Sequence, residues 1–319
     1  MKWIPIVAAL LASVSPASSD LLLLGVGGQA GGGVGTSYVG PGDVVAGATY
    51  FGSCQFAYSA AVAVSGTSKS CNLRRASDNH TCDVLLGSAG SWTNTTGCST
   101  GSENGTAVAT WCNATTCSVT KAYDQTGNGN DLSQATAAQQ PTIIFNGVGS
   151  NAVLSFSAAS NQFLTLAVLN TTINLPSAVT SVLKFTGAAQ AAVGSQVGGA
   201  PQFGNAVGSA ANTLFMFNNA VFNVTGTDNV YHTLAMFFPS AGATNCIMNL
   251  DGVDNSGVCS NNSVTVTSLL WGADALTANH PWQGTSGEFG WWTSLTPSGT
   301  QRTNLCHNMF VRWGTPVSC

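Results

Sequence analysis

Residues 111–135 read WCNATTCSVTKAYDQTGNGNDLSQA. A short Cys-to-Cys loop leads into a run of carboxylates, amides, hydroxyls and glycines. Asp124, Thr126, Asn128 and Asn130 alternate, and Asp131 follows. Oxygen-bearing side chains at alternate positions, spaced by glycines, are how a loop wraps a hard cation such as calcium. The full calcium-loop pattern ends in a bidentate Glu, and Ser133, Gln134 and Ala135 stand there instead. The same residue types build Asx turns, whose side chains cap nearby backbone N–H groups. A third use is the edge of a ligand cleft, with Asp124, Asn128 and Asp131 as its contacts.

On either side of this stretch the chain is a series of short β-branched or alternating runs between Gly, Asn, Asp and Ser. Examples are TIIF (142–145), AVLSF (152–156), QFLTLAV (162–168), SVLKF (181–185) and TLFMF (213–217). Further on come HTLAMFF (232–238), CIMNL (246–250), VTVTSLLWG (264–272) and GEFGWW (287–292). Such spacing predicts an all-β chain, an antiparallel sandwich. NLDGVDNSG (249–257) supplies hairpin turn signals. One helix is expected near the end, capped by Ser298 or Thr300, with Leu305, Met309 and Trp313 as its apolar stripe and Gly314 as its stop. Residues 87–110, rich in Ser, Thr, Gly and Asn, read as a surface loop tied down by Cys98.

Only 6% of the 319 residues are charged and the net charge is −4, against a usual charged fraction near ~25%. The surface is therefore built from hydroxyls and amides, and nucleic acid is excluded as a partner. Ten cysteines without zinc-type spacing read as disulfides in an oxidising compartment. Local pairing joins Cys71 with Cys82, Cys112 with Cys117, Cys246 with Cys259, and Cys306 with Cys319. It leaves Cys54 and Cys98, and sequence does not fix this connectivity.

Residues 1–19 carry Lys2, an apolar stretch, and Ala17 and Ser19 at cleavage spacing, as a secretory signal does. Residues 20–39 form a Gly-rich arm or linker, and 40–319 the sandwich domain. Residues 3–26 as a membrane anchor, or a retained arm that joins copies into a homo-oligomer, are the alternatives.

Glycoside cleavage calls on two carboxyls facing one bond. With twelve acids in the chain, the candidates are Asp78, Asp83, Asp124, Asp131, Asp228, Asp274 and Glu288. His80, His232, His280 and His307 are scattered, and His232 reads as a structural histidine in an apolar strand. Exposed tryptophans stack on sugars, and Trp282, in the polar stretch TANHPWQGT (277–285), is the one expected at the surface. Carbohydrate, such as a cell-surface glycan, is thus the expected partner.

The stretch 111–135 resembles the catalytic domain of arabinofuranosidase B-type enzymes, glycoside hydrolase family 54. There a Cys-x-x-x-x-Cys bridge precedes a Tyr-Asp-Gln-Ser-Gly-x-Gly-Asn-x-Leu segment. NLRRASDNHTCDVLLGSAG (72–90) is similar to the family's Arg-Arg-x-Ser-Asp stretch. LLWGAD (269–274) and GTSGEFGWW (284–292) resemble its concanavalin A/laminin-G-like jelly roll. SYVGPGDVVAGA (37–48) resembles the openings of proteins encoded in alphaproteobacterial genomes and phage-like regions. The resemblance implies a Cys112–Cys117 bridge and places the family's acid/base at Asp274. The family's nucleophile is a Glu in a strand whose best match here is ANTLFMF (211–217), which puts that position near Thr213. No Glu stands between Glu103 and Glu288, the family's adjacent Cys-Cys pair is absent, and its C-terminal arabinose-binding domain is not expected in these 319 residues. The implied function is a secreted, cell-surface or virion-exterior sandwich that binds glycans or mediates adhesion, without the family's nucleophile. The alternatives are an active arabinofuranosidase-like hydrolase pairing Asp274 with Asp228 or Glu288, and a structural phage tail or capsid decoration protein.

Overall fold

Alternating side chains give each strand one face toward a common core, and here two layers of strands share it. The computed structural model describes residues 38–319 except 66, 93–96, 100–104, 187–189, 198–199, 208–212, 218–220, 227–228, 239–244, 259–265, 274–280 and 316–318. Between 190 and 223 the backbone of the strands is described. The signal-like segment and most of the Gly-rich arm lie outside the described residues.

The first layer runs in the order β16 (Val253–Val258), β15 (Asn245–Leu250), β14 (His232–Phe238), β9 (Ser177–Phe185) and β18 (Gly284–Thr293). The far side of β18 is shared: β7 (Asn151–Phe156) takes Gly284–Ser286, and β1 (Ala48–Ser53) takes Glu288–Trp292. The second layer begins with β13 (Val221–Thr225), β12 (Thr213–Phe217), β11 (Ala200–Val207), β10 (Gln190–Val197) and β17 (Leu269–Trp271). It continues through β8 (Leu164–Leu166), β5 (Leu132–Ser133), β4 (Cys117–Ala122), β2 (Lys69–Arg75) and β3 (Thr81–Leu85). The strand β6 (Thr142–Val148) pairs with β7 and touches β4 at Ser118–Thr142, so one hairpin joins the layers. These pairings are antiparallel, as the run spacing predicts.

Between the layers, Tyr50, Leu183, Leu234, Phe289 and Trp291 meet Leu73, Leu132, Leu164 and Trp271. The Phe289 ring is the hub, with centroids 5.2 Å from Tyr50, 6.0 Å from Trp271 and 6.1 Å from Trp291. A second apolar cluster covers the outer face of the first layer. There Ala178, Val182, Ala235 and Trp292 pack under Leu305, Met309 and Trp313 of the helix Gly299–Trp313. Ser298 caps that helix reciprocally with Gln301, and Gly314 ends it in the left-handed region at φ 63°. The predicted stripe therefore faces the sheet. Core on one face and helix on the other bury β18 almost throughout, so its sequence shows no clean alternation.

Two local readings change. Among the described residues of the run 264–272, only Leu269–Trp271 is strand, with Val266 bridging Ile173. The stretch 87–110 includes the start of a one-turn helix, Val108–Trp111, and a bridge between Gly97 and Ala107.

The cysteine pairing is also corrected. Cys54 bonds Cys71 and Cys82 bonds Cys98, while Cys112–Cys117 and Cys306–Cys319 pair as expected. In the β2–β3 ladder Cys71 lies opposite Val84, and Cys82 opposite Leu73. The two cysteines are diagonal neighbours, about 7–8 Å apart, too far for a disulfide. Cys246 is disulfide-bonded, and its expected partner Cys259 lies outside the described residues. Among the described residues no helix is long and apolar enough to cross a membrane.

Peptide mapping without reduction should recover Cys54–Cys71 and Cys82–Cys98 and no Cys71–Cys82 peptide. Replacing Cys54 and Cys71 together by Ala should cost about 3 kcal/mol in urea unfolding, the entropy of a loop with sequence separation 17.

Candidate functional site

The strand β1 pairs with β18 along one edge, and its other edge is met by side chains of residues 124–130. The Phe51 N–H donates to Asp124 Oδ1 at 3.3 Å, and the Phe51 carbonyl accepts from the Gln125 N–H at 2.9 Å. Asn128 Nδ2 donates to the Ala48 and Thr49 carbonyls at 3.2 and 3.1 Å, and Asn130 Nδ2 donates to Thr49 at 2.9 Å. Gln125 Nε2 donates to the carbonyls of Ser53 and Phe56, both at 3.1 Å.

The loop holds its own shape by the same chemistry. Asp124 Oδ1 accepts from the Thr126 N–H at 3.0 Å and its hydroxyl at 2.7 Å, and Oδ2 accepts from the Asn130 N–H at 3.0 Å. Asp131 accepts from the Asp124 N–H at 2.9 Å and from Lys121 Nζ at 3.2 Å. Gly127 and Gly129 sit at φ 88° and 73°, where a side chain would be strained. Asn170 Nδ2 fastens the far side through the Asn128 and Gly129 carbonyls at 3.1 and 2.9 Å.

Asp124 and Asp131 thus cap backbone N–H groups, whereas Asn128 donates to carbonyls instead. A calcium ion would have to displace the N–H and O–H donors that fill Asp124, and among the described residues no His, Cys, Asp and Glu cluster suits a metal. As a ligand edge, these three residues would have to leave partners they already hold.

Trp282 is fully buried, which corrects its expected exposure. Its ring lies 5.3 Å from Phe156, beneath Gly284.

Glu288 is fully buried on the helix side of β18. Arg312 grips it bidentately at 2.6 and 2.8 Å, and Trp313 Nε1 donates to it at 2.8 Å. Burial alone would ease the Arg312 proton off, but the Glu288 charge overcomes this and raises the Arg312 pKa. Sequence reasoning missed this pair because its members lie on different elements. The one available signal was a lone Glu inside GEFGWW.

A fourth carboxylate, Asp83, accepts from Lys69 Nζ at 2.6 Å, Tyr123 Oη at 2.7 Å and Asn72 Nδ2 at 2.7 Å. Burial pushes its pKa up, and these three donors more than reverse that, holding it below the ordinary carboxylate range.

Asp274 and Asp228 lie outside the described residues, but the chain on either side of them is described. Trp271 is opposite Val193, Val193 opposite Asn205, and Asn205 opposite Met216. With antiparallel strands, Ala273, Gln190, Val207 and Thr213 consequently finish at one edge of the second layer. The Trp282 N–H returns to the Gly272 carbonyl at 2.9 Å, Thr186 N–H donates to Gln283 at 3.1 Å, and Asn229 N–H donates to Phe185 at 2.9 Å. The flanks of Asp274 and Asp228 are thus linked by three backbone hydrogen bonds.

Residues 41–230 match the family model described as Alpha-L-arabinofuranosidase B, catalytic. Among solved structures, the chain is similar to an arabinofuranosidase complexed with arabinofuranosyl-alpha-1,2-xylobiose. That pair has TM-score 0.62 and 18% identity, covering 86% of this chain and 65% of that one. It is also similar to a mutant of a GH54 α-L-arabinofuranosidase soaked with 4-nitrophenyl α-L-arabinofuranoside, with TM-score 0.63, 17% identity and coverage of 86% and 66%. At such identity these likenesses speak to the fold, and the chain spans just under two thirds of either structure. No curated protein matches the chain.

Glu288→Gln should destabilise the fold by about 3–5 kcal/mol, because it leaves Arg312 buried without its counter-charge; urea unfolding measures this. Asp83 gives a pH signature. A carboxyl held low in the folded state stabilises above its unfolded pKa, about 3.9, and that stabilisation is lost as pH falls through the lower folded value. The Tm should therefore drop on acidification below about pH 4, and Asp83→Asn should flatten part of that drop.

Proposed function

We propose, on the premise that the chain belongs to the α-L-arabinofuranosidase B catalytic family, that it binds arabinofuranosyl glycans outside the cytoplasm without hydrolysing them. The observation that carries this reading is how the carboxylates are used. Of the twelve acids, Asp20, Glu103, Asp228 and Asp274 lie outside the described residues. The other eight all accept internal hydrogen bonds. Asp43 caps Gly40 and Ala60, Asp78 holds Arg75, Asp251 meets His232, and Asp254 meets Arg302. Asp83, Asp124, Asp131 and Glu288 are occupied as described above.

Hydrolysis asks for a second carboxyl about 5–5.5 Å or 6.5–9.5 Å from the first. Glu288, one partner considered for Asp274, is committed to Arg312 beneath the helix. The sugar site we assign to the edge where Ala273, Gln190, Val207 and Thr213 finish, with Asp274 as its polar contact. A concanavalin/laminin-G type of jelly roll and a place on a cell or virion exterior belong to the same proposal. The disulfides support an oxidising compartment.

A second reading rests on the backbone bonds joining the flanks of Asp228 and Asp274. In it, Asp228 supplies the second carboxyl of an active hydrolase.

One pair of measurements separates the readings. Calorimetry with arabinofuranosyl-α-1,2-xylobiose should give saturable binding, weakened about tenfold by Asp274→Asn, the loss of one charged hydrogen bond. The 4-nitrophenyl arabinofuranoside should release no nitrophenol. Absence of binding to any arabinofuranoside would sink the proposal. Nitrophenol release lost in both Asp274→Asn and Asp228→Asn would replace it with the hydrolase.

A further inference from the structure

We infer that Asn128 is a site of non-enzymatic deamidation, and that losing its side-chain amide loosens the edge of β1 at Ala48 and Thr49. Asn128 is exposed and precedes Gly129, whose lack of a side chain leaves its backbone nitrogen unhindered. In the reaction that nitrogen loses its proton and bonds to Asn128 Cγ, the Cγ–Nδ2 bond breaks, and ammonia leaves. A water molecule then opens the resulting imide at either carbonyl, giving aspartate or its isomer linked through the side-chain carboxyl. Nothing is oxidised or reduced, and water is the sole co-reactant.

The consequence lies in the hydrogen bonds. Asn128 Nδ2 is a donor to the Ala48 carbonyl, the Thr49 carbonyl and Thr126 Oγ1, the last at 2.9 Å. An ionised carboxylate accepts only, so the product sets an acceptor against two carbonyl oxygens. The seal cannot re-form, and the change is permanent. An unsealed strand edge is a template for pairing with another chain.

Those three bonds also slow the reaction while the fold is shut. Cγ must turn onto the Gly129 nitrogen, and the amide must first leave its acceptors. Conversion therefore follows local opening of the loop. The same dipeptide occurs at Asn146–Gly147 on an exposed part of β6, which is an internal reference, and at Asn104–Gly105, where Asn104 lies outside the described residues.

The test incubates the protein at mildly alkaline pH, native and in urea, and follows Asn128 and Asn146 by peptide mapping. Asn128 should convert at least about tenfold faster in urea, the signature of an opening-limited site. The more acidic form, isolated by ion exchange, should be cut faster by chymotrypsin at Tyr50 or Phe51 and should self-associate. Asn128→Asp should reproduce this; if that variant does not fold, the isolated wild-type product decides. Equal conversion of Asn128 in native protein and in urea would overturn the inference. So would a deamidated form that matches unmodified protein in both cleavage rate and size.

Discussion

The fold depends on how the free edge of β1 is satisfied. That strand is buried on both faces, with Tyr50 and Phe51 inaccessible to solvent, so its main-chain groups have limited access to water. Unpaired buried backbone groups cost as much as lost hydrogen bonds. Another strand would have satisfied them by main-chain pairing. Here the amides of Gln125, Asn128 and Asn130, with the Asp124 carboxylate, do so instead. Thr126 serves the loop itself, bonding Asp124 and Asn128, while Asn128 and Asn130 converge on the Thr49 carbonyl.

The rest of the polar chemistry follows from how few charges the chain has. Where an acid is described it is assigned to a fixed internal partner, and Glu288 with Arg312 is the most enclosed example. A buried pair of this kind adds little against an apolar substitute, but strongly penalises the loss of one member. It pins the helix Gly299–Trp313 to one register on β18. A carboxylate free for a ligand must then come from the acids outside the described residues.

Much of this was readable in the sequence. The runs TIIF, AVLSF and HTLAMFF became β6, β7 and β14 because short apolar, β-branched or aromatic runs suit strands, although β14 is buried at every position rather than at alternate ones. Ser298, one of two expected caps, and Gly314 marked the helix through local backbone needs. Facts set by three-dimensional register were less readable. Cys71 and Cys82 looked like partners until the hairpin ladder placed them diagonally. Trp282 looked exposed because Asn279 and His280 precede it in the chain, whereas Phe156 and Gly284 surround it in the fold. Glu288 looked available because nothing near it in sequence predicts Arg312. For Asp274, the sequence indicates a role by resemblance, and the described structure adds the position of its flanks.

The double allegiance of β7 bears on cooperativity. Its hairpin partner β6 reaches the second layer, while β7 itself pairs with β18 in the first. Neither layer can separate without breaking a hydrogen-bond ladder that the other also uses. Amide hydrogens along β18 and β9, enclosed by neighbouring strands, can then exchange with solvent only through global opening rather than by fraying. Two layers described separately thus unfold as one unit.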